Sequence, residues 1–176
     1  MLIIGPPGSG KGTQAERISE RLGVVAISTG DIFRANVKGG TPLGIEAKKY
    51  MDVGDFVPDS VTNEMVRGRL SEDDVENGFL LDGYPRTTAQ VDYLDGILAD
   101  GDQKLDVVLQ LTADDEELVT RLLGRIRHRL DLYHEQTEAV VAKYADRGIL
   151  TRVDGIGGID EVTDRVMQAI KEAQSA

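Results

Sequence analysis

The sequence contains no cysteine, which excludes disulfides, thiolate zinc sites, iron–sulfur clusters and cysteine nucleophiles. Its only histidines, His128 and His134, are too few for a histidine-rich metal site. No apolar run approaches the ~18 residues of a membrane span. The opening run, Met1–Ile4, has no basic flank and does not read as a signal peptide. Basic residues are scarce too: 20 Lys and Arg face 31 Asp and Glu, a net charge of −11. That sign argues against nucleic acid and anionic lipid as partners. A cytoplasmic protein, off the membrane, is the expectation.

What remains is a chain of 176 residues, 40% apolar and 29% charged, which suits one soluble domain with a small insert. Five short apolar runs read as strands: Met1–Ile4, Val24–Ile27, Phe79–Leu81, Val107–Leu111 and Ile149–Val153. None alternates cleanly with polar residues, as expected of strands buried on both faces. Helical periodicity marks Ala113–Leu123, Ile126–Tyr144 and Asp160–Ala173. Strands alternating with helices predict an α/β fold with a parallel sheet and right-handed crossovers. Between the second and third runs, Asp31–Val37, Leu43–Met51 and Asp59–Leu70 read as helices, punctuated by Gly39-Gly40, Pro42, Gly54 and Pro58. They predict a helical insert in a crossover. Met51, Met65 and Met167 read as core filler, Asp73-Asp74 as a surface turn and His134 as structural or solvated.

The segment Gly5-Pro6-Pro7-Gly8-Ser9-Gly10-Lys11-Gly12-Thr13 carries the strongest chemical signal. A glycine-rich turn between a strand and a helix aims backbone N–H groups at phosphate oxygens, and the helix N-terminus adds positive potential. Lys11 can reach the outer phosphates as a point charge. The match to G-x-x-x-x-G-K-[ST] is displaced by one, because Gly12 precedes the hydroxyl of Thr13. A second signal, Asp82-Gly83-Tyr84-Pro85-Arg86, closes the third run. Ligands of open α/β sheets sit beyond the carboxyl ends of strands, so Asp82 can hold a magnesium ion through water and Arg86 can grip a phosphate. A β-turn with a solvated arginine is the alternative for this stretch. Third, Arg121, Arg125, Arg127 and Arg129 crowd one short stretch of an acidic chain. They suit an anion site, or a solvated helix face paired with Asp131 and Glu135.

Together these residues resemble the adenylate kinases along nearly the whole chain. The carriers are GPPGSGKGTQ at the first turn, Ile27-Ser28-Thr29-Gly30-Asp31 with Arg34, and Phe79-Leu80-Leu81-Asp82-Gly83-Tyr84-Pro85-Arg86 followed by Gln90. The family itself reads Gly-Lys-Gly-Thr, so Gly12 is then expected. The resemblance implies a phosphate-loop, nucleoside monophosphate kinase-like three-layer fold on a five-stranded parallel sheet. It implies a core of residues 1–27, 58–123 and 129–176, an AMP-binding insert at 28–57 and a residual or missing lid at 124–128.

The implied reaction is MgATP + AMP to two ADP by direct in-line attack, with Lys11, Arg86, Arg125 and Arg129 supplying positive charge. Gly8, Ser9, Gly10, Lys11, Gly12 and Thr13 would hold ATP phosphates, with Arg121 against its adenine, Arg125 near its phosphates and Gly157 offering backbone to its base. Thr29, Arg34, Asp55, Phe56, Val57, Gly83, Tyr84, Pro85, Arg86, Gln90 and Arg129 would line the AMP site, Gln90 reading the base edge. Magnesium would be held by Thr13 and, through water, by Asp82. A monomer is implied.

One departure stands out. The family carries a lid, with a Gly-Arg-x-Asp-Asp stretch, where Leu123-Gly124-Arg125 here runs straight into Ile126-Arg127-His128-Arg129. A missing lid implies weaker ATP binding and lower turnover. The competing readings are a UMP/CMP-type kinase, a lidless nucleotide-binding variant with little catalysis, and a phosphate-loop ATPase or GTPase switch. The last would need a positioned water and a switch loop that no sequence feature supplies.

Overall fold

The computed structural model describes residues 1–53, 55–114, 118 and 127–175, without the side chains of 127–129. Five parallel strands form one sheet: β1 (Leu2–Ile4), β2 (Val25–Ser28), β3 (Phe79–Asp82), β4 (Val108–Thr112) and β5 (Leu150–Asp154). Their spatial order is β2-β3-β1-β4-β5. β1 lies at the centre, with Leu2 opposite both Leu81 of β3 and Val108 of β4. Each of the five apolar runs becomes a strand in this expected α/β sheet.

Alternation along the strands builds the layers. Leu2 and Ile4 face one side of the sheet with Phe79, Leu81 and Val108. Ile3 faces the other with Leu80, Leu109 and Leu111. Successive strand side chains point to opposite faces, so a strand buried on both must be apolar throughout. Leu2, Ile3 and Ile4 are 5% exposed or less, and each contributes roughly 1.5–3 kcal/mol by burial.

Helices α1 (Lys11–Leu22) and α7 (Ile159–Ser175) cover the Ile3 face, through Ala15 and Ile18 and through Val162, Val166, Ala169 and Ile170. The opposite face is covered by α5 (Thr88–Asp100), with Val91, Leu94 and Leu98, and by α6 (Arg127–Asp146), with Val140, Val141 and Tyr144. Between β2 and β3 run α2 (Thr29–Gly39), α3 (Pro42–Met51) and α4 (Asp59–Leu70), the three helices expected in that crossover. Thr41 caps α3 by accepting from Gly44 N–H at 3.0 Å, with Pro42 at the first helical position. The turn from α2 into α3 is so close that a Cβ on Gly44 would lie 2.2 Å from the Asn36 carbonyl oxygen.

Some expectations need correction. Periodicity passed over α5, which has its own signals: Thr87 caps it by accepting from Gln90 N–H. Met51 is 37% exposed rather than core, whereas Met65 is buried at 4%. Asp73–Val75 forms a short 3₁₀ turn with its acidic residues exposed, as a surface turn should. His134 is exposed on α6 near Glu138. Most of the predicted helix Ala113–Leu123 lies outside the described residues. Leu118 within it is fully buried and clusters with Leu130.

Candidate active site

The site lies beyond the carboxyl ends of β1 and β3, next to each other at the middle of the sheet. After β1 the chain turns through Gly5–Gly10 and enters α1. Gly8 and Gly10 adopt φ of 85° and 88°, a left-handed conformation costly for other residues. Gly5 is required by space, since a Cβ there would lie 2.7 Å from the Leu111 carbonyl oxygen. Gly10 stands at the N-cap of α1 without a side-chain cap, and the first turn carries no acidic residue. The leading N–H groups of α1 thus meet no competing carboxylate from its own first turn, as an anion site requires. Lys11 begins the helix, and its Nζ donates to the Pro6 carbonyl at 2.8 Å across the loop. Gly12 and Thr13 follow, both exposed. The Ser9 hydroxyl is buried without a hydrogen-bond partner.

The second wall comes from the end of β3. Gly83 has φ of 82°, and a Cβ there would fall 2.6 Å from Thr29 Oγ1. Thr29, 2% exposed, donates its hydroxyl towards the Gly83 carbonyl at 3.3 Å, which ties the insert to the strand end. Arg86 Nε donates to the Gly83 carbonyl at 2.8 Å, and its guanidinium lies 4.9 Å from the centre of the Phe56 ring. Tyr84 is buried at 1% and donates to Asn63 Oδ1 at 2.6 Å; burial pushes its hydroxyl pKa well up. Burial also pushes the Asp82 carboxyl above the usual range, against the charges of Lys11 and Arg86. Its Oδ1 is buried without a partner. A buried carboxylate oxygen facing two cations, with an open valence, fits water-mediated contact to a hard divalent ion.

Two clefts occupy this region. One, with about 550 Å³ of empty space, runs between the glycine loop and α6, past Lys11, Phe56, Gly83, Arg86, Tyr133 and Thr137. The other, about 350 Å³, runs from Phe56, Gly83 and Arg86 to Thr29, Val57, Asp59 and Gln90. They share Phe56, Gly83 and Arg86, so the guanidinium of Arg86 stands where the two meet.

The structure brings most expected site residues together: the Gly8–Thr13 loop, Asp82, and Thr29, Phe56, Val57, Gly83, Tyr84, Pro85, Arg86 and Gln90. Arg34 and Asp55 are exposed at the edge of the insert, Arg34 paired with Asp31. Gly157, with φ of 130°, lies after β5; a Cβ there would meet Arg165 at 2.7 Å. Arg121 and Arg125 lie outside the described residues, as does the side chain of Arg129. Sequence reasoning missed several supports. Arg165 donates to the Asp154 and Ile156 carbonyls and pins the loop that carries Gly157. Gly155 donates to the Thr112 carbonyl at 2.7 Å, and a Cβ on it would lie 3.3 Å from the Ser9 carbonyl oxygen. Asp59 and Thr87 bind one another behind Gln90.

A family profile described as adenylate kinase matches residues 3–149. A protein of Pseudarthrobacter chlorophenolicus named adenylate kinase is 84% identical, over 100% of this chain and 98% of its own length. Adenylate kinases of Renibacterium salmoninarum and Kocuria rhizophila are 71% and 66% identical, over 100% and 97% of this chain and 98% of their own length. The first alignment spans 189 positions against the 176 residues here, so that relative carries residues with no counterpart in this chain.

Proposed function

The chain belongs to the adenylate kinase family, and on that premise we propose how its residues divide the work. The reaction is reversible phosphoryl transfer, ATP + AMP = 2 ADP. One observation carries the assignment of residues: two clefts, one bounded by Lys11 and the other ending at Gln90, meet at Arg86. ATP takes the first, with its phosphates on the Gly8–Thr13 amides and Lys11. AMP takes the second, with its base towards Val57 and Gln90 and its phosphate at Arg86. Thr29, Arg34, Asp55, Phe56, Tyr84 and Pro85 complete that pocket, and Gly157 borders the ATP base.

Phosphoryl transfer asks little covalent chemistry of a protein; positioning and charge neutralisation do most of it. Lys11 and Arg86 face the transferring group from two sides, with Arg125 and Arg129 assigned to the same role by family resemblance. The AMP phosphate is already ionised and attacks directly, so the protein supplies neither nucleophile nor general base. Magnesium, held by the Thr13 hydroxyl and through water by Asp82, would neutralise charge on the outer ATP phosphates. We assign the core to residues 1–27, 58–123 and 129–176 and the AMP-binding insert to 28–57. The relative's extra residues are read as a lid that is residual or missing here at 124–128. Monomeric behaviour and a cytoplasmic location complete the reading.

The test follows ATP, ADP and AMP by chromatography with magnesium present. Two ADP per ATP consumed, formed only when AMP is added, is the expected result. ATP loss that ignores AMP would contradict it, and faster turnover with UMP or CMP would move the assignment to a pyrimidine nucleotide kinase.

A further inference from the structure

Gln90 lies 4% exposed at the end of the acceptor cleft, and both ends of its amide are engaged. Its Oε1 accepts from the Arg86 backbone N–H at 2.7 Å. Its Nε2 donates to Asp59 Oδ1 at 2.6 Å. The other Asp59 oxygen accepts from Thr87 Oγ1 at 2.7 Å, and that hydroxyl accepts from Gln90 N–H at 3.2 Å. These partners leave no freedom in the proton positions. A carboxylate only accepts and a backbone N–H only donates, so the amide can face one way. Turning it by 180° would set Oε1 against the carboxylate and the NH₂ group against the Arg86 N–H. Two satisfied bonds would become two repulsions in a largely buried site.

An amide has two N–H bonds and two oxygen lone pairs. Asp59 and Arg86 use one of each, which leaves one donor and one acceptor for a base. The 6-position edge of adenine offers an amino donor beside the N1 acceptor. The edge of hypoxanthine offers the reverse, an oxygen acceptor beside an N1–H donor. A glutamine free to turn over satisfies either edge. One that is locked satisfies only one.

We propose that Asp59 is the positioning residue for purine selectivity: by fixing which way the Gln90 amide faces, it commits the acceptor site to 6-amino purine monophosphates and against 6-oxo ones. The proposal rests on the reading of the second cleft as the AMP site. Asp59 reaches the base through Gln90, and Thr87 steadies Asp59 from behind.

The experiment compares kcat/KM for AMP and IMP. IMP is the probe because it inverts the 6-position edge without adding a 2-amino group. In Asp59→Asn the side chain keeps its shape but can donate as well as accept, so one of the two repulsions against a turned Gln90 becomes a hydrogen bond and only the Arg86 N–H still opposes it. The AMP-to-IMP ratio is expected to fall up to about tenfold, mainly through a lower KM for IMP, since relieving one of two mismatched contacts is worth about one net hydrogen bond. The ratio comes from one preparation, so partly unfolded protein cancels. If Asp59→Asn does not accumulate, Asp59→Ser removes the charge and carries the same expectation.

Placed in a Gln90→Met background, Asp59→Asn should leave the ratio unmoved, because the effect passes through Gln90. An unchanged ratio in folded Asp59→Asn would overturn the proposal, as would an equal change in the Gln90→Met background. Gln90→Met that leaves the ratio intact would instead overturn Gln90 as the base reader, and with it the underlying assignment of the cleft.

Discussion

The two ends of the site are built by different means. The end we assign to phosphate is backbone: Gly5, Gly8 and Gly10 shape a turn whose amides open onto the start of α1, and Lys11 is its one charged side chain. The end we assign to the base is side chain: Gln90, Asp59, Thr87, Tyr84 and Asn63 hold one another through hydrogen bonds between α4 and the segment from β3 into α5. Phosphate is common to every nucleotide and has the same shape each time, so a fixed array of N–H groups suffices. A base must be told from other bases, and that takes donors and acceptors in a defined order. Breaking the first end should therefore lower every rate together. Breaking the second should change which substrate is preferred.

The largest effect is expected from Lys11→Met. Losing a preorganised charge at the transferring phosphate should cost about 10³-fold in kcat. AMP and IMP rates should fall by the same factor, so an altered selectivity would break the comparison.

Asp82→Asn comes next, with a drop of about 10²-fold in magnesium-dependent turnover and a gain in stability without nucleotide. Burial raises the folded-state pKa of Asp82 above its unfolded value. The folded protein therefore holds an extra proton between the two values, and stability declines as pH rises through that window. Asp82→Asn should remove that part of the pH dependence, read from denaturant melts of nucleotide-free protein at pH 4 to 7.

Gly83 belongs to both ends. Gly83→Ala meets a left-handed φ and the Thr29 hydroxyl together, and should cost about 1–3 kcal/mol in chemical denaturation. The smallest effect is expected away from the site. Asp92 and Lys143 pair between α5 and α6 with the carboxylate 68% exposed. Asp92→Asn should cost under ~1 kcal/mol and leave the AMP-to-IMP ratio alone.

That contrast also explains what the sequence could reveal. The phosphate loop was legible because its geometry needs glycines and a lysine at fixed spacing within one short segment. The strands were legible because burial on both faces forces unbroken apolar runs such as Leu2–Ile4. Arg86 was legible from its place beyond the end of an apolar run, next to the turn residues Gly83 and Pro85, whereas Gln90 came from family resemblance alone. Asp59 was not, since in sequence it is an ordinary acidic residue opening a helix. Its meaning comes from Gln90, far along the chain, and no local spacing encodes that contact. Arg165 is similar: one turn of α7 carries it, but its partners are carbonyls after β5. Helix α5 escaped because its buried stripe of Val91, Leu94 and Leu98 is blurred by Tyr93 and Ile97, which are only partly exposed.

On the assignment we propose, the clefts meet at Arg86 so that one phosphate attacks the other with no relay through the protein. The direct test uses ATP made chiral at the γ-phosphorus with oxygen and sulfur isotopic labels, and reads the configuration of the transferred group in the ADP formed from AMP. A single in-line transfer predicts inversion. Retention would require two transfers through a group on the protein, and would contradict the account.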